Sequence, residues 1–275
     1  MAGVLDAFAL TDRVAVVTGS SSGIGAASSL ALAEAGAHVA GLDVLAEGGE
    51  ATAGAVKGLG RESLFQQCDV SSHEDVGEAI STIVARFGRI DILVNNAFIS
   101  SHSSPADIEV DEWKRVIDVD LTGYFLCARA VGRSMIRQGN GGVIINISSI
   151  AGSLALGRGN FAYSVAKGGI NQMTRELAIE WAPHRIRVNA IQPCWVRTPA
   201  LQALIDDPQF DSDTLVSTFL RGVPLGRLAE PEDIAKAAVF LASEAASMIS
   251  GVLLPVDGGN LALNAGGTVE WSQVQ

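Results

Sequence analysis

The 275 residues carry a formal net charge of -11, and 48% of them are hydrophobic. That length suits one large domain with its own core; no apolar run approaches the roughly 18 residues of a membrane span, and no basic stripe marks a nucleic-acid footprint. The opening MAGVLDAFALTDR has neither a basic head nor an adequate apolar stretch, so no secretion signal is expected.

In chain order, RVAVVTG (13–19) reads as a buried strand and GIGAASSLALAEAG as the helix behind it, closed at Gly36. Further β-branched runs at 37–44, 63–70, 89–97, 141–149, 185–193 and 251–259 read as strands. Helical patterns fill the gaps, among them 73–87, 105–138, 161–182 and 231–243. Such alternation predicts an α/β fold, a doubly wound parallel sheet covered on both faces. Residues 199–228 are longer than a simple crossover and are expected to form a helical lid. After the last strand, Leu261, Leu263, Val269 and Trp271 are expected to dock on a neighbouring subunit. Cys68, Cys127 and Cys194 are odd in number and far apart, and His38, His73, His102 and His184 are equally scattered. No metal site and no disulfide framework is expected, and a reducing cytoplasm is the expected home.

The stretch VVTGSSSGIG (16–25) is a strand, a glycine-rich turn and a helix start. Gly19 permits the tight turn, Gly23 lets backbone approach a ligand, and Gly25 allows close packing. The helix N-terminus then offers free N–H groups to a pyrophosphate, which places Gly19, Ser21, Ser22 and Ile24 at a nucleotide. Asp43, at the end of the second strand, stands where a carboxylate takes ribose hydroxyls. Between Gly19 and Val56 there is neither Lys nor Arg. A 2′-phosphate would meet Asp43 with no cation nearby in sequence; a like-charge pair near 4 Å costs on the order of 4 kcal/mol at an effective dielectric of 20. NAD is therefore expected over NADP.

Only two tyrosines occur. Tyr124 lies among apolar helix positions and is expected to pack rather than react. Tyr163, in FAYSVAKGGI, has Lys167 one helical turn away. Lowering a phenol by ~3 pKa units needs about 4 kcal/mol, the order that an ammonium near 4 Å supplies. A cationic oxidised nicotinamide would add to it. The pair thus makes a proton donor and acceptor for alcohol oxidation or ketone reduction.

Together TGSSSGIG, NNA, NISS, YSVAK and NAIQP resemble the short-chain dehydrogenase/reductase family, in order and over roughly residues 10 to 260. The resemblance implies a single Rossmann-type catalytic domain over 1–260 followed by a tail over 261–275, hydride transfer to or from a nicotinamide cofactor, a small-molecule substrate and commonly a homotetramer. By position it implies Tyr163 as proton donor/acceptor and Ser149, rather than Ser148, holding the substrate oxygen. It makes Lys167 the residue that lowers the phenol and binds the nicotinamide ribose. Asp69 and Val70 match the adenine contacts, Asn95 the strand end beside the cofactor, and Val196 and Thr198 the segment over the nicotinamide.

Three positions depart from the family pattern. Phe98 replaces a glycine, Cys194 replaces another, and Asp120 stands where the family's fourth catalytic residue, an asparagine, holds a relay water. These departures motivate a second reading, a nicotinamide-binding sensor without turnover. Phe98, Ser153, Leu154, Arg158, Asn160 and Trp195 are the expected substrate-pocket residues, suiting a polyol, a sugar or a cyclic alcohol.

Overall fold

Alternate residues of each central strand feed opposite apolar layers, which is why the strands read as unbroken hydrophobic runs. In the computed structural model, which describes residues 3–157 and 159–263, Ala15 and Val17 enter one core while Val16 enters the other. The strands are β1 (Val14–Thr18), β2 (His38–Asp43), β3 (Ser63–Gln67), β4 (Ile92–Asn95), β5 (Gly142–Ile147), β6 (Ile186–Pro193) and β7 (Leu253–Val256). They form one sheet in the order β3-β2-β1-β4-β5-β6-β7, parallel throughout. The order in which strands are added reverses between β1 and β4, so a crevice opens at the carboxyl ends of those two strands.

Helices α1 (Gly23–Glu34), α2 (Ala46–Gly58) and α9 (Pro231–Ala242) cover one face, through Leu32, Val56, Ile234 and Leu241. Helices α3 (His73–Phe87), α5 (Gly123–Gln138) and α6 (Phe161–Glu180) cover the other, through Ile83, Val131 and Ala178. The helical pattern read over 105–138 begins at α4 (Val110–Ile117), because residues 105–109 are taken up by a turn and an extended approach. One π-helical turn, Asp118–Thr122, then joins α4 to α5. π-helical turns inside α-helices are often found at functional sites, and this one carries Asp120 into the interior.

Residues 199–228 contain α7 (Pro199–Ile205) and α8 (Ser212–Leu220), held by their own small cluster of Ile205, Phe219 and Leu228. Arg158 and the tail positions Val269 and Trp271 lie outside the described residues. No helix of the described residues is long and apolar enough to cross a membrane.

Candidate active site

The crevice is a cleft of about 570 Å³, walled by the first turn, the ends of β2 and β4, α4 and the start of α7. Gly19 takes φ +66, a left-handed conformation that strains any other residue. A Cβ on Gly25 would overlap the Gly19 carbonyl oxygen, so the turn closes only with glycine there. Ser21, Ser22, Gly23 and Ile24 line the cleft, and α1 begins at Gly23 with no side chain capping its first amides. That cradle fits a pyrophosphate: the donors are backbone N–H groups and no side chain blocks them.

Asp43 is fixed at the cleft edge, its two carboxylate oxygens accepting from the Ser21 and Leu45 amides at 2.9 Å each. Asp69 and Val70 form the adjoining wall. Thr198 joins them, with its methyl group close to the Gly23 turn and its hydroxyl capping α7. Val196 is buried behind it and does not line the cleft. Two cations that the sequence keeps far from the turn, Lys114 and Arg115 of α4, also reach the cleft wall.

Asn95 lies elsewhere. Its amide is turned into the sheet, donating to Asn146 Oδ1 at 3.0 Å and to the Tyr124 carbonyl at 3.2 Å. The next residue, Asn96, faces the cleft and ties it to β1, donating to the Thr18 and Gly19 carbonyls. Asparagines with opposite facing are what the period-two alternation of a strand end produces, and that was the available signal for Asn96.

Behind Phe98 sits the Tyr163 group. The Phe98 ring meets the Tyr163 ring edge-on, centroids 6.1 Å apart, and is half exposed on the cleft side. The Ser149 hydroxyl hydrogen bonds with the Tyr163 hydroxyl and draws its pKa down. Ser148 instead donates to Asn171 Oδ1 at 2.7 Å, so it is committed to holding β5 against α6. Lys167 is buried, its Nζ 5.3 Å from the Tyr163 ring centroid.

Electrostatics here differ from the expectation that Lys167 lowers the phenol. Burial, reinforced by the charge of Asp120, pushes the Tyr163 phenol up to about 12, against the Ser149 hydrogen bond. Burial likewise pulls the Lys167 ammonium down to about 8, with Asp120 opposing. The Nζ donates to the Ile147 carbonyl at 3.0 Å and to the Tyr124 hydroxyl at 3.2 Å rather than to Tyr163. Asp120 accepts from the Ile99 amide at 2.8 Å, its second oxygen has no partner, and burial raises its carboxyl to about 6.

Of the expected pocket residues that the structure describes, Phe98 alone lines the cleft. Leu154 is 37% exposed nearby in sequence to Ser153, whose hydroxyl accepts from Gln192 at 2.6 Å. Asn160 precedes α6 without capping it through its side chain. Trp195 packs on Phe219 with centroids 4.0 Å apart and pins the α7–α8 insertion to the body.

A glycine-rich turn at the switch point of a parallel sheet, with an acid fixed at the end of β2, defines a nucleotide-binding doubly wound fold, and the Tyr163–Ser149 hydroxyl pair lies behind Phe98 at its edge. The family model described as enoyl-(acyl carrier protein) reductase matches residues 19–260. A cis-4-hydroxycyclohexanecarboxylate dehydrogenase of Sinomonas cyclohexanicum is 42% identical, covering 93% of this chain and 99% of its own. A D-threitol dehydrogenase of Mycolicibacterium smegmatis is 40% identical, covering 92% and 94%. Among solved structures, a gluconate 5-dehydrogenase of Burkholderia cenocepacia, in complex with NADP and tartrate, superposes with a TM-score of 0.87 at 37% identity, covering 95% and 100%. The chain belongs to the short-chain dehydrogenase/reductase family. It is a hydride-transfer oxidoreductase acting on CH–OH groups.

Proposed function

We propose that the protein is an NAD-dependent dehydrogenase of a secondary alcohol carried on a ring, with Tyr163 as the group that takes the alcohol proton. The observation that carries this is the Tyr163 hydroxyl, bonded to Ser149 and backed by the Lys167 ammonium, at the carboxyl end of the sheet beside the glycine turn. Ser149 holds the substrate oxygen and orients it on Tyr163. Lys167 supplies positive charge behind the phenol and a donor for the cofactor ribose. Gly19, Ser21, Ser22 and Ile24 hold the pyrophosphate, and Asp69 and Val70 flank the adenine. Asp43 takes the ribose hydroxyls, which favours NAD even though Lys114 and Arg115 approach the cleft. The bound cofactor supplies a hydride acceptor at the nicotinamide ring.

A ring substrate is favoured by Phe98, whose apolar face stands between the cleft and Tyr163. Apolar pocket walls bury ring carbons and leave a few polar groups to fix orientation. The Sinomonas relative, named for a hydroxylated cyclohexane carboxylate, supports the same class. Buried Cys68 and Cys127, with Cys68 pushed up to about 12 chiefly by burial, suit a reducing cytoplasm, and assembly as a homotetramer completes the proposal.

The test is a substrate panel of cyclic alcohols, polyols and sugar acids with NAD and NADP, followed by reduced-cofactor absorbance. Cyclic alcohols with NAD should give the highest kcat/KM. Preference for open-chain polyols or for NADP would overturn the substrate or cofactor assignment respectively. NAD binding without turnover of any compound would favour the sensor instead.

A further inference from the structure

The second tyrosine does more than fill space. Tyr124 is fully buried at the start of α5, and its ends are held by different partners. Its carbonyl accepts from Asn95 Nδ2 at 3.2 Å. Its hydroxyl donates to the Ile147 carbonyl at 2.9 Å and, through its oxygen, accepts from Lys167 Nζ at 3.2 Å. Lys167 Nζ also donates to that same Ile147 carbonyl, at 3.0 Å. The three groups therefore close a small ring of hydrogen bonds, with the ammonium 4.8 Å from the Tyr124 ring centroid.

We infer that Tyr124 is a positioning residue, whose hydroxyl keeps Lys167 charged and aimed at the Tyr163 side of the cleft. The inference rests on the proposed role of Lys167 in that site. An ammonium has three N–H donors. Two are engaged by Tyr124 and Ile147, which fixes the lysine tip and leaves one donor for a cofactor hydroxyl. A buried ammonium is stable only where its donors find acceptors. A phenol is the acceptor that can itself be oriented, because its own proton is spent on Ile147. Burial holds the Tyr124 phenol well above its usual pKa, so it keeps that proton across the working pH range.

The charged and titratable groups around Lys167 are few. Asp120 approaches from the π-helical turn and favours the ammonium, and Tyr163 stands one turn away on α6. Cys127, one turn beyond Tyr124, is a buried thiol kept neutral by burial. Of these, Asp120 acts on Lys167 by charge, whereas Tyr124 is the side chain that bonds it. Nothing along the chain signals this, since a tyrosine among apolar helix positions is normally packing.

The chain has four lysines, so selective 13C labelling of lysine allows the Lys167 titration to be followed directly by the Cε resonance, without cofactor or substrate. In the native protein the Lys167 resonance, assigned by its loss in Lys167→Met, should titrate near pH 8. In Tyr124→Phe, which keeps the ring and removes the hydroxyl, that midpoint should fall by at least half a unit, about a threefold fall in the ratio of ammonium to amine. NAD affinity at pH 8 should weaken by roughly 3- to 10-fold. A midpoint and an NAD dissociation constant both unchanged, whatever happens to Tm, would overturn the inference and leave Tyr124 as packing. If Tyr124→Phe does not fold, Tyr124→Met, an adaptable side chain without a hydroxyl, is read in the same way. A native protein that binds no NAD would sink the proposed function, yet the Lys167 titration would still decide the role of Tyr124.

Discussion

Asp120→Asn offers a quantitative test of the buried carboxylate. Asp120 is fully buried, one oxygen accepts from Ile99, the other has no partner, and its carboxyl is raised from 3.8 to about 6, chiefly by burial. At ~1.4 kcal/mol per unit, the ionised form is disfavoured in the folded protein by about 3 kcal/mol. The folded carboxyl holds its proton more tightly than the unfolded one, so stability is greatest below about pH 4. It falls as pH rises between roughly 4 and 6, and the full cost stands above that. Asparagine removes the charge and keeps the acceptor for Ile99. Its amide then lacks an acceptor of its own, which returns roughly 1 kcal/mol. The expected gain at pH 7.5 is therefore about 2 kcal/mol, or roughly 4–8 °C in Tm, with none at pH 4. Urea unfolding at both pH values measures it. The same change removes a negative charge that raises the Tyr163 phenol, so the rising limb of the oxidation pH profile, and the profile with it, should move to lower pH. An equal stability change at pH 4 and 7.5, or an unmoved profile, would refute the placement of an ionised carboxylate here.

Asp43→Ala should raise kcat/KM for NADP relative to NAD by about tenfold or more; steady-state kinetics with both cofactors checks this, and an unchanged ratio would show that Lys114 and Arg115 dominate instead. Tyr163→Phe should lower kcat by roughly 10²–10⁴-fold while the NAD dissociation constant stays within a few-fold, as expected when a proton-transfer group alone is lost. Gly25→Ala should abolish NAD binding in a fluorescence titration, since its Cβ overlaps the Gly19 carbonyl and the turn cannot close.

Strand and helix order were legible because each element obeys a local period. The seven strand runs and the 73–87 helix pattern correspond to elements of the structure, as does the break in rhythm that became α7 and α8. The first turn was equally legible, because left-handed backbone and close approach both demand glycine at fixed spacing. Tyr163 and Lys167 could be paired from sequence because one helical turn puts them on one face. The π-helical turn was not legible, since one extra residue in a helical turn leaves no mark in a hydrophobic pattern.

What the sequence determined by itself was therefore whatever depends on neighbours along the chain: element type, the parallel arrangement, the glycine turn, and the Tyr163–Lys167 face. Tertiary structure decided what depends on groups far apart in sequence. It turned Asn95 into the sheet and Asn96 toward the cleft, and it brought Lys114 and Arg115 from α4 to the wall beside Asp43. It also gave the Lys167 ammonium to Tyr124 and Ile147, and it buried the Tyr163 phenol near the charge of Asp120, so that burial first and Asp120 second raise the phenol rather than lower it. The physical reason is that pKa values and donor choices follow burial and three-dimensional neighbours, and those are fixed only when α5, α6 and β5 pack together.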